Sequence, residues 1–173
     1  MNRLEASTVI RRSPEAIYDL LVDFPQYAEY SKYLATVSQH GEGGAGTEYD
    51  LTFSWWRLSY TTRSRVTALD PPRRVEWRLL GTLDARGEWE VVELDDPPTG
   101  ASAASRVYFR VRYNPDSADG AGIDLPAFVS LDWVIDRVAP KVQAEARRIV
   151  ERVVTDLEGE PRPVDLQIHE ASL

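Results

Sequence analysis

The stretch Pro126–Glu158 constrains this chain more than any other. Leu131, Ile135, Val138, Val142, Ala146, Ile149, Val153 and Leu157 recur at steps of three or four, the spacing of one buried stripe on an amphipathic helix. Arg147, Arg148 and Glu151 fall on the far side, with Arg152 and Asp156 nearer the stripe's edge. From Ser130 to Glu158 such a helix runs about 40 Å. A helix that long needs a broad apolar partner surface. The expectation is a sheet that wraps the helix and leaves a cavity between them. Pro140 lies inside the stripe, where a proline removes a backbone hydrogen bond and typically kinks the axis.

The rest of the chain supplies the sheet. Leu4–Arg12 reads as a first strand. Ser13-Pro14-Glu15 opens a helix with Ser13 as N-cap and Pro14 in the first turn, and Asp23-Phe24-Pro25 ends it. Gln26–Tyr33 reads as a second short helix carrying Tyr27, Tyr30 and Tyr33. Leu34–His40 is a strand, followed by the glycine-rich turn Gly41–Gly46. Tyr49, Leu51, Phe53 and Trp55 then alternate with polar residues, answered by Leu58–Leu69 across a turn near Trp56-Arg57. Val75, Trp77 and Leu79 form the next strand; Gly87, Trp89 and Val91 and then Val107, Phe109, Val111 and Tyr113 form two more. Hairpin-length connections favour antiparallel pairing, and segregated helices and strands argue for α+β. Residues 1–158 read as one domain, with 159–173 as a tail expected to be ordered only in part.

Composition narrows the function classes. Hydrophobic residues make up 43%, enough for a real core. No apolar run approaches the ~18–20 residues that span a bilayer, so stable membrane insertion is not expected. The first residues lack the apolar segment of a signal peptide, which leads to the expectation of a cytoplasmic protein. There is no cysteine, hence no disulfide and no thiolate chemistry. A net charge of −8 argues against nucleic acid as a partner. Lys32 and Lys141 are the only lysines. Acidic, lysine-poor composition suits a halophilic source, although an acidic protein from a high-GC genome looks the same.

One face of the strands carries Tyr49, Phe53, Trp55, Tyr60, Trp77, Trp89, Phe109 and Tyr113. Such a face fits an aromatic ligand pocket, and it also fits a core whose aromatics reach wet margins. The run from Ser13-Pro14-Glu15 through Asp23-Phe24-Pro25-Gln26-Tyr27 resembles the opening of the SRPBCC or START-like superfamily, in its polyketide cyclase/dehydrase and coenzyme-Q-binding branch. Asp70-Pro71-Pro72-Arg73-Arg74-Val75-Glu76-Trp77, Gly87-Glu88-Trp89 and the terminal helix agree with it in order. The resemblance covers roughly residues 4–158. It implies a helix-grip fold: a curved antiparallel sheet of about six to seven strands around a long C-terminal helix, with two short helices between the first and second strands. It also implies a deep apolar cavity. The family's motifs set the fold and mark no shared catalytic constellation, so no catalytic residue is carried over.

Bland readings account for most of the remaining signals. His40 and His169 have no second ligand nearby in sequence, so no metal and no cofactor are expected. Gly41–Gly46 lacks the lysine of a phosphate loop. Asp132 and Asp136 flank the helix stripe and read as solvated first-turn charges. Arg63, Arg65, Arg110 and Arg112 are out of phase with the aromatics and belong on a wet face.

The expected function is binding, and with it transport or presentation, of a hydrophobic small molecule such as a lipid, isoprenoid quinone or polycyclic compound. Its lining is expected from Tyr49, Leu51, Phe53, Trp55, Tyr60, Trp77, Trp89, Phe109 and Tyr113 on the sheet, and Leu131, Val134, Ile135, Val138 and Val142 on the helix. Tyr49, Tyr60 and Tyr113 are the candidate polar anchors, and Asn114–Phe128 a candidate gate. Two alternatives stand beside it: a polyketide cyclase or dehydrase working through pocket tyrosines, and a protein-interaction module using an exposed patch near Trp56 or Trp133.

Overall fold

Eight strands hydrogen-bond into one antiparallel sheet in the order β2-β3-β4-β5-β6-β7-β1-β8. The computed structural model describes the backbone of residues 1–120 and 131–172, and the side chains of these except 118–120, 131–140, 142 and 172. The strands are β1 (Asn2–Ile10), β2 (Leu34–His40), β3 (Glu48–Trp55), β4 (Leu58–Asp70), β5 (Arg74–Leu79), β6 (Ala85–Glu93), β7 (Ser105–Tyr113) and β8 (Gln167–Ser172). The helices are α1 (Pro14–Leu21), α2 (Tyr27–Tyr30) and the long α3 (Leu131–Glu158), which is helical straight through Pro140. Among the described residues no helix is long and apolar enough to cross a membrane.

Local chemistry explains the elements between β1 and β2. Ser13 accepts a hydrogen bond from the Ala16 N–H, and Pro14 occupies the first turn of α1. Phe24–Gln26 forms a 3-10 turn after it. The second helix is shorter than its sequence suggests: it stops at Tyr30 because Ser31 is already extended. Tyr33 instead docks on β3, where its carbonyl accepts the Ser54 N–H at 2.8 Å.

β8 is the strand the sequence pattern does not announce. Its residues, QIHEAS, carry no strong alternation. They pair because β1 otherwise offers an open edge of unpaired N–H and C=O groups, and a neighbouring segment satisfies it. The path to that edge is tied down. Val164 is buried in the core, Thr8 Oγ1 donates to the Asp165 carbonyl at 3.0 Å, and Arg162 holds both Glu158 and the Val9 carbonyl.

Register sorts the side chains by face. Leu4, Val111, Gly87, Trp77 and Val66 lie in one row across five strands; Ala6, Phe109, Trp89 and Val75 lie in the next. That concave face meets the C-terminal half of α3. Val154 is fully buried there with Ile10, Ile17, Leu21, Val91, Val107 and Val164, flanked by Val150, Val153 and Leu157. A second cluster, Tyr18, Phe24, Tyr49, Val66 and Val75, packs under α1 and the 3-10 turn. Polar ties fix α3 to α2: Tyr30 Oη donates to Asp156 at 2.7 Å, and buried Glu145 accepts the Lys32 N–H at 3.2 Å and Arg152 at 3.3 Å.

The convex face carries the charges. Arg110 donates to Glu5 at 2.7 Å and Glu88 at 2.9 Å, and also to Glu90. Burial works against its charge, but the hydrogen bonds to Glu90, Glu5 and Glu88 outweigh that, so its pKa is raised. Arg63 grips Asp50 with two bonds at 2.7 and 2.9 Å, while His40 approaches the same carboxylate at 2.7 Å. Those two partners, Arg63 first, hold the Asp50 carboxyl down to about 2.

Two outcomes follow from this packing. Val154→Ala should lower the unfolding free energy by about 2–3 kcal/mol, read from urea denaturation. Asp50 has a folded pKa below its ordinary 3.8, so its contribution is present above that value and lost as pH falls towards 2. Asp50→Asn should therefore remove that small contribution at neutral pH and flatten the acid limb of the stability–pH profile, while leaving stability near pH 2 little changed.

Candidate functional site

The concave face holds a connected run of aromatic rings. Trp77 stacks on Phe109 with centroids 6.0 Å apart, and Phe109 meets Trp89 at 4.5 Å. Trp89 receives the edge of Tyr27 at 6.4 Å, Tyr27 contacts Phe24 at 5.2 Å, and Phe24 reaches Tyr49 at 4.7 Å. The run therefore crosses from mid-sheet to the short helices. Period-2 alternation supplies its strand members. Phe24 and Tyr27 come from the 3-10 turn and α2, where alternation gives no signal; the run Asp23-Phe24-Pro25-Gln26-Tyr27 is the one sequence cue to them.

Gly87 makes the Trp77 position possible. A Cβ there would lie 2.5 Å from Trp77 Cζ2 and 2.5 Å from the Arg110 carbonyl oxygen. With only hydrogen at that point, the indole lies flat across the neighbouring strand.

The candidate lining residues fall into three groups. Tyr49 is buried in the second core cluster, with Leu51 half-buried against it. Burial, and then the charge of Asp23, push the Tyr49 phenol up. Trp77, Trp89 and Phe109 are half-buried and in mutual contact, and half-buried Tyr113 ends β7 opposite Ala85 and Asn2. Trp89 also touches both core clusters, whereas Trp77, Phe109 and Tyr113 belong to neither. Phe53, Trp55 and Tyr60 share the same face but lie towards the end of the β3–β4 hairpin. There Phe53 is 39% exposed, and Lys141 Nζ sits 4.9 Å from the Trp55 ring. Leu131, Val134, Ile135, Val138 and Val142 lie outside the residues whose side chains are described, as do Asp132, Trp133 and Asp136. Residues 121–128 of the candidate gate also lie outside the described residues.

Polar chemistry on this face is sparse. Tyr27 Oη donates to the Leu21 carbonyl, and burial first, then Tyr49 and Asp23, raise its pKa. Thr62, opposite Leu51 in the ladder, buries its hydroxyl with no hydrogen-bond partner among the described residues. The Tyr60 hydroxyl and Thr62 Oγ1 would both lie within 3.8 Å of a Cβ on Gly81. Sequence alternation does not single out Thr62, since a threonine on a strand is ordinary. Among the described residues no three His, Asp or Glu side chains converge as metal ligands. A depression of about 590 Å³ on the opposite, convex side is walled largely by charge, including Arg3, Arg78, Arg86 and Arg112.

Comparison with known proteins agrees with this architecture. The Zhui aromatase/cyclase from Streptomyces sp. R1128 superposes with a TM-score of 0.61 at 18% identity, covering 91% of this chain and 94% of that one. TTHA0849 from Thermus thermophilus gives 0.59 at 15% identity, over 91% and 97%. The di-domain ARO/CYC StfQ of the steffimycin biosynthetic pathway gives 0.58 at 13% identity over 90% of this chain, which spans only 49% of that protein. No curated protein matches the sequence. The family model for polyketide cyclase/dehydrase and lipid transport matches residues 1–155. With its helix-grip fold of eight strands and a long C-terminal helix, the chain belongs to that polyketide cyclase/dehydrase and lipid transport family.

Proposed function

We propose that this protein binds an apolar, ring-containing or isoprenoid small molecule against the concave face of the sheet, beside α3. The observation that carries this reading is that Trp77, Phe109 and Tyr113 sit mid-sheet, half-buried, outside both packed clusters. Large aromatic surface left half-wet on a concave face is surface a ligand would cover. Burial of such rings is worth roughly 25 cal/mol per Å² before association costs are subtracted. Leu51, Trp89 and Tyr49 would form the wall towards the short helices, and Phe53, Trp55 and Tyr60 the wall towards the hairpin. Leu131, Val134, Ile135, Val138 and Val142 would complete it from α3. The unpartnered Thr62 hydroxyl, with Tyr60 beside it, gives a ligand oxygen one place to hydrogen-bond.

Binding is favoured over acid–base catalysis by where the charges lie. The charged side chains of β3 to β7 alternate almost entirely onto the convex face. Tyr27 and Tyr49, on the ligand side, are held protonated by burial. A neutral phenol can orient a ligand oxygen, but neither can serve as a base near neutral pH.

The test begins with native mass spectrometry of protein from its own host, followed by extraction of bound compounds. Quinones and lipids are then titrated against tryptophan fluorescence. Trp77→Ala should weaken binding of whichever compound responds by about 10- to 100-fold. Gly87→Ala should weaken it as well, by forcing the Trp77 indole off the strand, and should cost about 1–3 kcal/mol of stability in urea denaturation. A flat titration with nothing co-purifying would sink the binding reading.

A further inference from the structure

The β3–β4 turn breaks two local rules at one residue. Trp55 and Leu58 face each other in the ladder, leaving Trp56 and Arg57 as a two-residue connection. Such turns require positive φ and are served by glycine, asparagine or aspartate. Here Trp56 takes φ of 53°, where a bulky side chain is strained. It is also 68% exposed, the most exposed large hydrophobic among the described residues. Asparagine or glycine would remove both costs, so hairpin stability does not explain the tryptophan.

Its surroundings share one chemistry. Phe53 is exposed, Trp55 half-buried, and Tyr33 is held beside them by the Ser54 N–H. Three cations converge on these rings. Lys32 Nζ lies 4.9 Å from the Tyr33 centroid, Lys141 Nζ 4.9 Å from Trp55, and the Arg57 guanidinium 5.5 Å from Trp56. The chain's only two lysines are both here. Among the described residues, each of the three cations sits over a ring and pairs with no carboxylate. In a chain of net charge −8, these three described cations are gathered at one end.

We propose that the β3–β4 tip docks the protein on an anionic lipid bilayer, with Trp56 at headgroup level. Trp and Tyr partition to that layer because an apolar ring and a polar N–H or O–H are both satisfied there. Lys32, Arg57 and Lys141 supply the attraction to anionic headgroups. A narrow convex tip enters a fluid interface readily, whereas a protein partner would need a matching pocket. The arginine row of the convex face is another cationic surface, but among the described residues it carries no exposed aromatic ring, which leaves this end as the contact. Phe53 and Trp55 belong both to the tip and to the concave face, so the docked protein would present that face beside the membrane. The docking itself does not depend on the ligand reading.

The test is cosedimentation of the full chain, without added ligand, with vesicles of equal parts phosphatidylcholine and phosphatidylglycerol and with pure phosphatidylcholine vesicles. The expected result is salt-sensitive binding to the mixed vesicles with a blue shift of tryptophan emission. Trp56→Asn should lower the partition coefficient about tenfold while leaving the thermal midpoint equal or higher, since asparagine accepts the positive φ. Arg57→Gln and Lys141→Gln should each lower it about fivefold. The double variant Arg78→Gln/Arg86→Gln, on the convex face, should leave it unchanged. The proposal is overturned by no binding to anionic vesicles, by binding indifferent to Trp56→Asn, or by binding that the convex double variant removes. Concentration-dependent self-association without vesicles, dissolved by Trp56→Asn, would overturn it too and assign the tip to a second copy of the chain instead.

Discussion

The anchoring of the C-terminal half of α3 on Ile10, Val91 and Val107 fixes everything else about this fold. About two turns of helix, from Val150 through Val154 to Leu157, meet the sheet where β1, β6 and β7 lie side by side. α1 closes over the same spot through Ile17 and Leu21. Trp77, Phe109 and Tyr113 lie outside the clamp, and their half-burial is the consequence.

The charged convex face does a different job. Exposed ion pairs contribute little each, and many of these are at least partly wet. Their effect is on register. A slip of one residue would carry Arg110, Glu88 and Glu90 into the concave face and expel Phe109, Trp89 and Val91. The penalty falls on every strand together, so the aromatic face and the charged face specify each other. The row Arg3, Arg112, Arg86, Arg78 and Arg65 runs across five strands with like charges opposite. Such pairs are unfavourable, and they are tolerated because the row faces water.

This division of faces was legible in the chain because alternation is a direct property of strands. The aromatics from Tyr49 to Tyr113 and the arginines out of phase with them both follow from it. The clamp was legible as the second half of the helix stripe, although Val150 and Val154 carry it beside Val153 and Leu157. Three things were not legible. Strand β8 depends on an open edge of β1, and an edge exists only once the sheet has formed. Phe24 and Tyr27 join the aromatic run through the angle at which the short helices dock, which no periodicity encodes. Buried Glu145 looks like a solvated helix charge until α2 packs beside it and offers the Lys32 N–H.

Residue choice departs from local preference mainly along the aromatic face of the sheet. Gly87 weakens a strand interior so that Trp77 can lie across it. Thr62 buries a hydroxyl without a partner among the described residues. Trp56 strains a turn that asparagine would relax. Packing explains Gly87, whose Cβ would strike Trp77 and the Arg110 carbonyl, but gives no reason for the other two: a valine at 62 and an asparagine at 56 would serve the bare fold better. Exceptions of this kind persist where something besides folding selects them. All three fall along one stretch of the sheet, from its middle strands to the hairpin tip.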